Sequence, residues 1–347
     1  MPNVTIKDIA QAAGVTHPTV SKALNNAPGV RAETRQRILE LAEQMNYIPN
    51  VAAKRLAKQK NRSLGFIWPQ IEGLFFYHLC SDLQREAVRR DIDVVVSMSE
   101  PSKALRTFHE HFIDFTLAWF FPQWAPDVDF IKERALYEGE MMIIGGGRME
   151  QAHQVAIDRA KGVYDAVQYL HKIGHRRVAY IGEPGQKSDG FIRALLDAGM
   201  EHHKSRLILA DTDYYYQGAA VNRAEITEKF TRLWQSGQRP TALILDSQNT
   251  AFGLINCLHE LQISIPEELS IVSYDDIPEL SIYQVPLTTC GPSIAEIVRT
   301  VLDFYEDFYQ GRLPEQPFSK IIEPKLIIRD STRPLSSGKK LNNIEFY

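Results

Sequence analysis

Residues 5–25, TIKDIAQAAGVTHPTVSKALN, have the spacing of two short helices joined by a tight turn. Thr5, with Asp8 three residues on, predicts a capping box, which satisfies orphan amides at a helix start and favours negative charge there. The first helix is read from Ile6 to Ala13, with Ile6, Ile9, Ala10 and Ala13 on one face. Gly14 follows, where a residue without Cβ can take the positive φ of a sharp turn. Thr16 is placed to cap a second helix and Pro18 suits its first turn, while Val20 and Leu24 face inward. His17, Thr19, Ser21, Lys22 and Asn25 are left pointing outward. Polar side chains on the exposed face of a second helix are what reading the DNA major groove requires. An ordinary helical hairpin with a solvated outer face is the alternative.

Working outward, Pro28 and Gly29 mark a loop, and residues 32–45 read as a third helix with Ile38, Leu41, Ala42 and Met45 spaced to pack on the first two. After a break at residues 47–50, VAAKRLAK (51–58) reads as a helix too short to be stable alone in water. Residues 1–62 hold ten Lys and Arg against four Asp and Glu, a net +6, so the remainder of the chain carries −10. A small basic head on an acidic body predicts a polyanion as partner for the head only.

The whole chain has 347 residues, 44% of them hydrophobic and 24% charged, which suits two or three domains of ordinary soluble composition. No apolar run reaches membrane-spanning length, and the start lacks the basic-then-apolar pattern of a signal peptide. The expectation is a cytoplasmic protein. Cys80, Cys257 and Cys290 are far apart and share no metal-ligand spacing, so reduced thiols are expected.

From residue 64 onward, strand-like runs alternate with amphipathic stretches: LGFIW (64–68), DVVVSM (93–98), LAWFF (117–121), MMIIG (141–145), VAYIG (178–182), LIL (207–209), ALIL (242–245), SIVSY (270–274) and KLIIR (325–329). That alternation predicts parallel sheets covered by helices on both faces, with ligands at the carboxyl ends of the strands.

The segments AAGV (12–15), TVSKALN (19–25), GVRAETRQRI (29–38), NYIPN (46–50) and AKRLAKQKNRSLG (53–65) resemble the headpiece and hinge of the lactose/galactose-repressor family of bacterial transcription regulators. The body resembles that family's two-lobed core at GHRRVAYIG (174–182), GFIRALLDAG (190–199), AFG (251–253) and SIVSYDDIPELSIYQVPLTT (270–289). The resemblance implies an all-α helix-turn-helix headpiece at 1–49, a hinge at 50–62 and an α/β core like a type I periplasmic binding protein at 63–332. Lobe one would take 63–157 and 291–320, lobe two 158–290 and 321–332, with a disordered tail at 333–347. It implies base-reading roles for His17, Pro18 and Lys22; Pro18 can give only van der Waals contact, while Lys22 can donate to guanine O6 or N7. Leu56 would be a wedge entering the minor groove from a hinge helix that orders on DNA. Thr5, Thr16, Thr19, Ser21, Asn25, Arg31, Tyr47, Asn50, Ala53 and Lys54 complete the implied DNA-contacting set. The partners implied are an operator and a second copy of the chain. No leucine heptad follows residue 330, so the tetramerising tail of some relatives is not expected.

The resemblance also implies a small-molecule effector between the lobes, of sugar type, and no cofactor or metal. Asp275 stands at the family's ligand-binding aspartate. Elsewhere the pattern changes: Lys187 stands where an arginine is expected, Ser247 and Gln248 follow Asp246 where an asparagine–aspartate pair is expected, Gly147 replaces a first-lobe acid, and Arg159 replaces an asparagine. These departures argue against a simple hexose. Phe76, Trp119 and Trp124 are aromatic candidates for stacking on a ring, with core packing as the other reading. A body that docks a protein coregulator is a second possibility. An enzyme is disfavoured, because GGGRME (145–150) lacks the third glycine of a dinucleotide fingerprint and no nucleophile elbow, His-x-x-x-His pair or Walker loop is found.

Overall fold

The computed structural model describes residues 4–24, 27–45, 47, 62–68, 73–147, 149–150, 152–210 and 219–335, with the backbone alone at 219–223. The chain forms two compact units that divide between Asn61 and Arg62.

In the first unit, α1 (Ile6–Ala13), α2 (His17–Leu24) and α3 (Ala32–Gln44) surround one small core. The Thr5 capping box forms as the sequence predicts: the Asp8 carboxylate accepts from the Thr5 amide at 2.8 Å, and the Thr5 hydroxyl accepts from the Asp8 amide at 3.4 Å. These bonds hold the Asp8 carboxyl below its ordinary range. Gly14 takes φ 64°, and the Val15 amide turns back onto Ala10 O at 3.0 Å, which closes α1 and launches α2 across it. Ile9, Val20 and Ile38 have no exposed surface, and Ala10, Ala13, Ala23 and Ala42 fill the spaces between them.

The second unit holds two six-stranded sheets. Lobe one contains β1 (Ser63–Ile67), β2 (Asp93–Ser97), β3 (Phe115–Phe120), β4 (Glu140–Gly145), β5 (His153–Ile157) and β11 (Ser319–Ile322), in the order β11-β5-β4-β3-β1-β2 and all parallel. Its helices are α4 (Leu74–Arg89), α5 (Pro101–Glu110), α6 (Val128–Leu136) and α12 (Ile294–Tyr309). Lobe two contains β6 (Val178–Gly182), β7 (Leu207–Leu209), β8 (Ala242–Leu245), β9 (Ser270–Ser273), β10 (Thr288–Gly291) and β12 (Lys325–Ile327), in the order β12-β10-β9-β8-β6-β7. Among the described residues only the β10–β12 pair is antiparallel. The helices of this lobe are α7 (Arg159–Lys172), α8 (Gln186–Asp197), α9 (Ala219–Gln235), α10 (Gln248–Glu260) and α11 (Pro278–Ser281).

β1, β3, β6, β8 and β9 are buried along their whole length, because helices cover both faces of each sheet. Such strands are legible as continuous apolar runs. β5, β10 and β11 are not: HQVAI, TTCG and SKII are mixed or polar, and they become strands by pairing with neighbours already in place. Their pairing moves the lobe boundaries. Gly291 pairs with Lys325 in the second sheet, and Ile321 and Ile322 pair with Ala156 and Ile157 in the first. The crossings therefore fall after Gly291 and after Ile322, rather than before residue 291 and after residue 320. Residues 333–335 also belong to lobe two rather than to a tail, since the Arg333 amide donates to Ser270 Oγ and the Leu335 amide to Ile173 O.

That C-terminal seam contains a titratable group. His175 is 1% exposed, with Nδ1 2.9 Å from Thr241 Oγ1 and Nε2 3.1 Å from Arg333 O. Burial pushes its pKa down to about 4. The unfolded chain, titrating near 6.5, binds the extra proton first, so this contribution to stability is complete above pH 6.5 and is lost as pH falls towards 4. At about 1.4 kcal/mol per unit the loss is roughly 3 kcal/mol. The unfolding midpoint of the full chain should fall steeply across that window, and His175→Gln should flatten the fall. An equally steep profile in the variant would assign the effect elsewhere.

Candidate DNA-reading helix and inter-lobe cleft

On the head, His17, Pro18 and Lys22 lie exposed on α2, with Thr16 exposed just before it and Arg31 exposed at the start of α3. Thr19 and Ser21, expected to point outward, are half-buried; Thr19 Oγ1 sits 2.9 Å from Thr16 Oγ1 in the first turn. Thr5 is exposed but donates its hydroxyl to Asp8. Tyr47 packs on the head core, its amide bonded to Ala42 O at 2.8 Å. Asn25, Asn50, Ala53, Lys54 and Leu56 lie outside the described residues.

Arg35 was not singled out from the sequence. From α3 its guanidinium donates to Ala27 O at 2.7 Å and to Ala23 O at 3.4 Å, tying down the end of α2 and the loop beyond it. A charged residue in the third helix reads as solvated until the fold brings those carbonyls to it.

The cleft between the lobes encloses about 690 Å³. Of the residues expected to hold an effector, Phe76, Trp119, Lys187, Asp246, Ser247, Gln248 and Asp275 line it, and Trp124 and Gly147 do not. The reason is strand alternation. Trp119 and Phe120 point to opposite faces of β3, and Trp124 stacks on Phe120 at 3.6 Å, in the core on the far side. Gly147 follows it there: a Cβ on Gly147 would lie 2.7 Å from Phe120 Cβ, and its carbonyl accepts from Gln154 at 2.8 Å.

Lobe one supplies an apolar wall. Phe75 and Phe76 open α4, and Phe76 meets Trp119 edge to face at 5.1 Å and Phe121 at 6.4 Å. Lobe two supplies the polar floor, where strand ends meet the starts of α7, α8 and α10. Asp275 follows β9 with φ 68°, and Gly291 makes room for it, since a Cβ there would lie 2.6 Å from Asp275 Cα. The Asp275 carboxylate accepts a long bond, 3.4 Å, from the Gln248 amide. Desolvation raises its pKa against the pull of Lys187.

Asp246 and Ser247 serve the frame. Asp246 accepts from the Glu183 amide at 2.9 Å and from Thr250 Oγ1 at 2.6 Å, and the Ser247 hydroxyl caps α10 at the Thr250 amide. Lys187 Nζ donates to Asp246 O and lies 4.1 Å from the Tyr274 ring centroid. Arg159, noted in the sequence only as a departure from a pattern, donates one N–H to Gly145 O and lines the cleft beside Tyr274. Among the described residues, Trp119 Nε1, Gln248 Oε1 and Tyr274 OH, each on a lining residue, are buried without a hydrogen-bond partner. Orphans of this kind cost free energy unless something enters to bond them.

Residues 5–50 match the family described as bacterial regulatory proteins, lacI family, and residues 167–332 match the periplasmic binding protein-like domain. The HTH-type transcriptional regulator AglR of Rhizobium meliloti (strain 1021) is 28% identical, with 98% of this chain and 97% of the relative covered. The probable HTH-type transcriptional repressor ExuR of Bacillus subtilis (strain 168) is 29% identical over 96% of this chain and all of the relative. Among solved structures, a Lac repressor dimer bound to operator and the anti-inducer ONPF superposes with a TM-score of 0.77 at 21% identity, covering 96% of this chain and 100% of that one; the fold is shared. The chain thus joins a lacI-family DNA-binding head to a periplasmic binding protein-like body, and transcriptional regulators align with it from end to end.

Proposed function

We propose that this helix-turn-helix regulator is a repressor, read onto DNA by α2 and controlled by a sugar-type effector held between its lobes. The observation that carries the DNA reading is the exposed His17–Pro18–Lys22 face on a helix held at its far end by Arg35. Lys22 is a residue of that face able to donate to guanine O6 or N7. Lys22→Ala, tested on a DNA site selected by the wild-type protein from a random pool, should weaken binding by about 1–3 kcal/mol and relax specificity at one position per half-site. Unchanged affinity and sequence preference would remove Lys22 from the reading face.

Two copies acting on a pseudo-palindrome suit the unpaired edge of lobe one. β2 ends its sheet, with Val95 and Met98 40% and 68% exposed, and Tyr77 and Ile282 are 61% and 81% exposed. Tyr77 adjoins His78, whose Nε2 meets the Glu279 carboxylate at 2.9 Å and so links α4 of lobe one to α11 of lobe two.

An effector touching both walls favours one lobe angle over the other, and only that difference can bias DNA binding. Lobe one begins firmly: Arg62 donates to Arg90 O, Asp91 O and Glu306 and lies 4.6 Å from the Tyr309 ring centroid. A change of lobe angle therefore reaches the start of the second unit. We read the cleft as a binding site rather than a catalytic one, in line with relatives named as transcriptional regulators, and place the protein in the cytoplasm. No helix among the described residues is long and apolar enough to cross a membrane.

A further inference from the structure

We propose that the effector is an anionic sugar, a ring bearing a carboxylate or phosphate, with its negative group on Arg159 and Lys187 and its hydroxyls on Asp275, Gln248, Tyr274 and Trp119. This rests on the reading of the cleft as the effector site and goes beyond it to the ligand's charge.

Arg159 and Lys187 enter the same cleft from the first turns of α7 and α8. Each spends one N–H on a backbone carbonyl, Arg159 on Gly145 O and Lys187 on Asp246 O. Neither is ion-paired with a carboxylate among the described residues. Two half-buried cations with unspent N–H donors, beside the positive ends of two long helices, offer a negative group charge-assisted hydrogen bonds that a neutral sugar cannot make. Both cations act on Asp275, and Arg159 also acts on Tyr274, whose ring centroid lies 4.1 Å from Lys187 Nζ, so the four groups form one cluster.

Four carboxylates also line the cleft, those of Glu183, Asp189, Asp246 and Asp275. Asp246 is committed to the Glu183 amide and the Thr250 hydroxyl, and Asp189 is exposed to solvent. Asp275 remains as an acceptor, suited to paired ring hydroxyls. The buried orphans define the rest of the ligand: Trp119 Nε1–H needs an acceptor, Gln248 Oε1 needs a donor, and Tyr274 OH can serve either. A hydroxylated ring offers both, and its apolar face fits the wall of Phe76 and Trp119. A fully apolar ligand would leave the orphans and both cations unmet.

The test measures thermal unfolding and selected-site DNA binding of the full chain. The probes are D-galacturonate, D-glucuronate, glucose 6-phosphate, galactose, maltose and the methyl ester of galacturonate. Comparing acid with ester isolates the charge in the wild-type protein, without any substitution. The expected result is that at least one acid raises the midpoint and changes DNA affinity, while its neutral counterpart binds roughly 10- to 100-fold more weakly. Uronates and glucose 6-phosphate distinguish the two sources of the anion. Arg159→Gln should lower affinity for the acid to that of the neutral sugar, and Arg159→Lys should restore part of it. If galactose, maltose or the ester binds as tightly as the acids and alters DNA binding, the proposal is overturned and the cleft reading stands. Silence from every probe overturns both. Tight binding of an acid by Arg159→Gln removes Arg159 from the site.

Discussion

Ile38→Ala should abolish binding to the selected DNA site while leaving the unfolding of the larger unit unchanged. The head core rests on Ile9, Val20 and Ile38, because the other four buried residues are alanines. Deleting a fully buried isoleucine costs about 2–5 kcal/mol. A unit of about sixty residues has total stability of only a few kcal/mol, at roughly 0.05–0.15 kcal/mol per residue. Ile38 comes from α3 and packs beneath α1 and α2, so its loss also removes what fixes α2 in place. Because the head is a separate compact unit, two thermal transitions are expected in the wild type, with only the head's displaced in the variant. DNA binding within twofold of wild type would show that the head does not depend on this core.

Gly190→Val should disable the cleft from a position outside its lining. A Cβ at Gly190 would fall 2.2 Å from Ala160 O and 2.8 Å from Ala160 Cα, so the obstacle is backbone, which cannot rotate away. α7 and α8 pack extensively through this contact, and they carry Arg159 and Lys187. Forcing the helices apart separates the two cations and strains lobe two by about 1–3 kcal/mol or more. The variant should have a lower unfolding midpoint and no response to the ligand that stabilises wild type, with the head still bound to its site. Gly190→Ala should fall between the two. An alanine variant as stable as wild type would show that the helices have room to move, and the argument for close approach would fail.

The outcome for each part of the protein follows the range over which its causes act. The head was legible because its signals are local: Thr5 with Asp8, Gly14 and Pro18 each act within one turn of the chain. The strands of the sheet centres were legible for a related reason, since burial on both faces demands uninterrupted apolar residues. Resemblance carried Lys187, Gln248 and Asp275 to the cleft, because the loops after parallel strands converge at one end of a sheet whatever their sequence.

What depends on residues distant in sequence was decided only by tertiary structure. β5, β10 and β11 exist through their partners, and so the crossings between lobes shifted with them. Trp124 and Gly147 followed Phe120 to the far face of lobe one, while Trp119, one residue earlier, went to the cleft. Arg35 and Arg159 gained their meaning from carbonyls 8 to 14 residues away. Sequence alone determined a helix-turn-helix head on a two-lobed α/β body, because turn chemistry and apolar periodicity are properties of neighbouring residues. Tertiary structure alone decided which charges in the cleft are spent on the frame and which remain for a ligand, because that depends on which groups the fold brings within hydrogen-bonding distance.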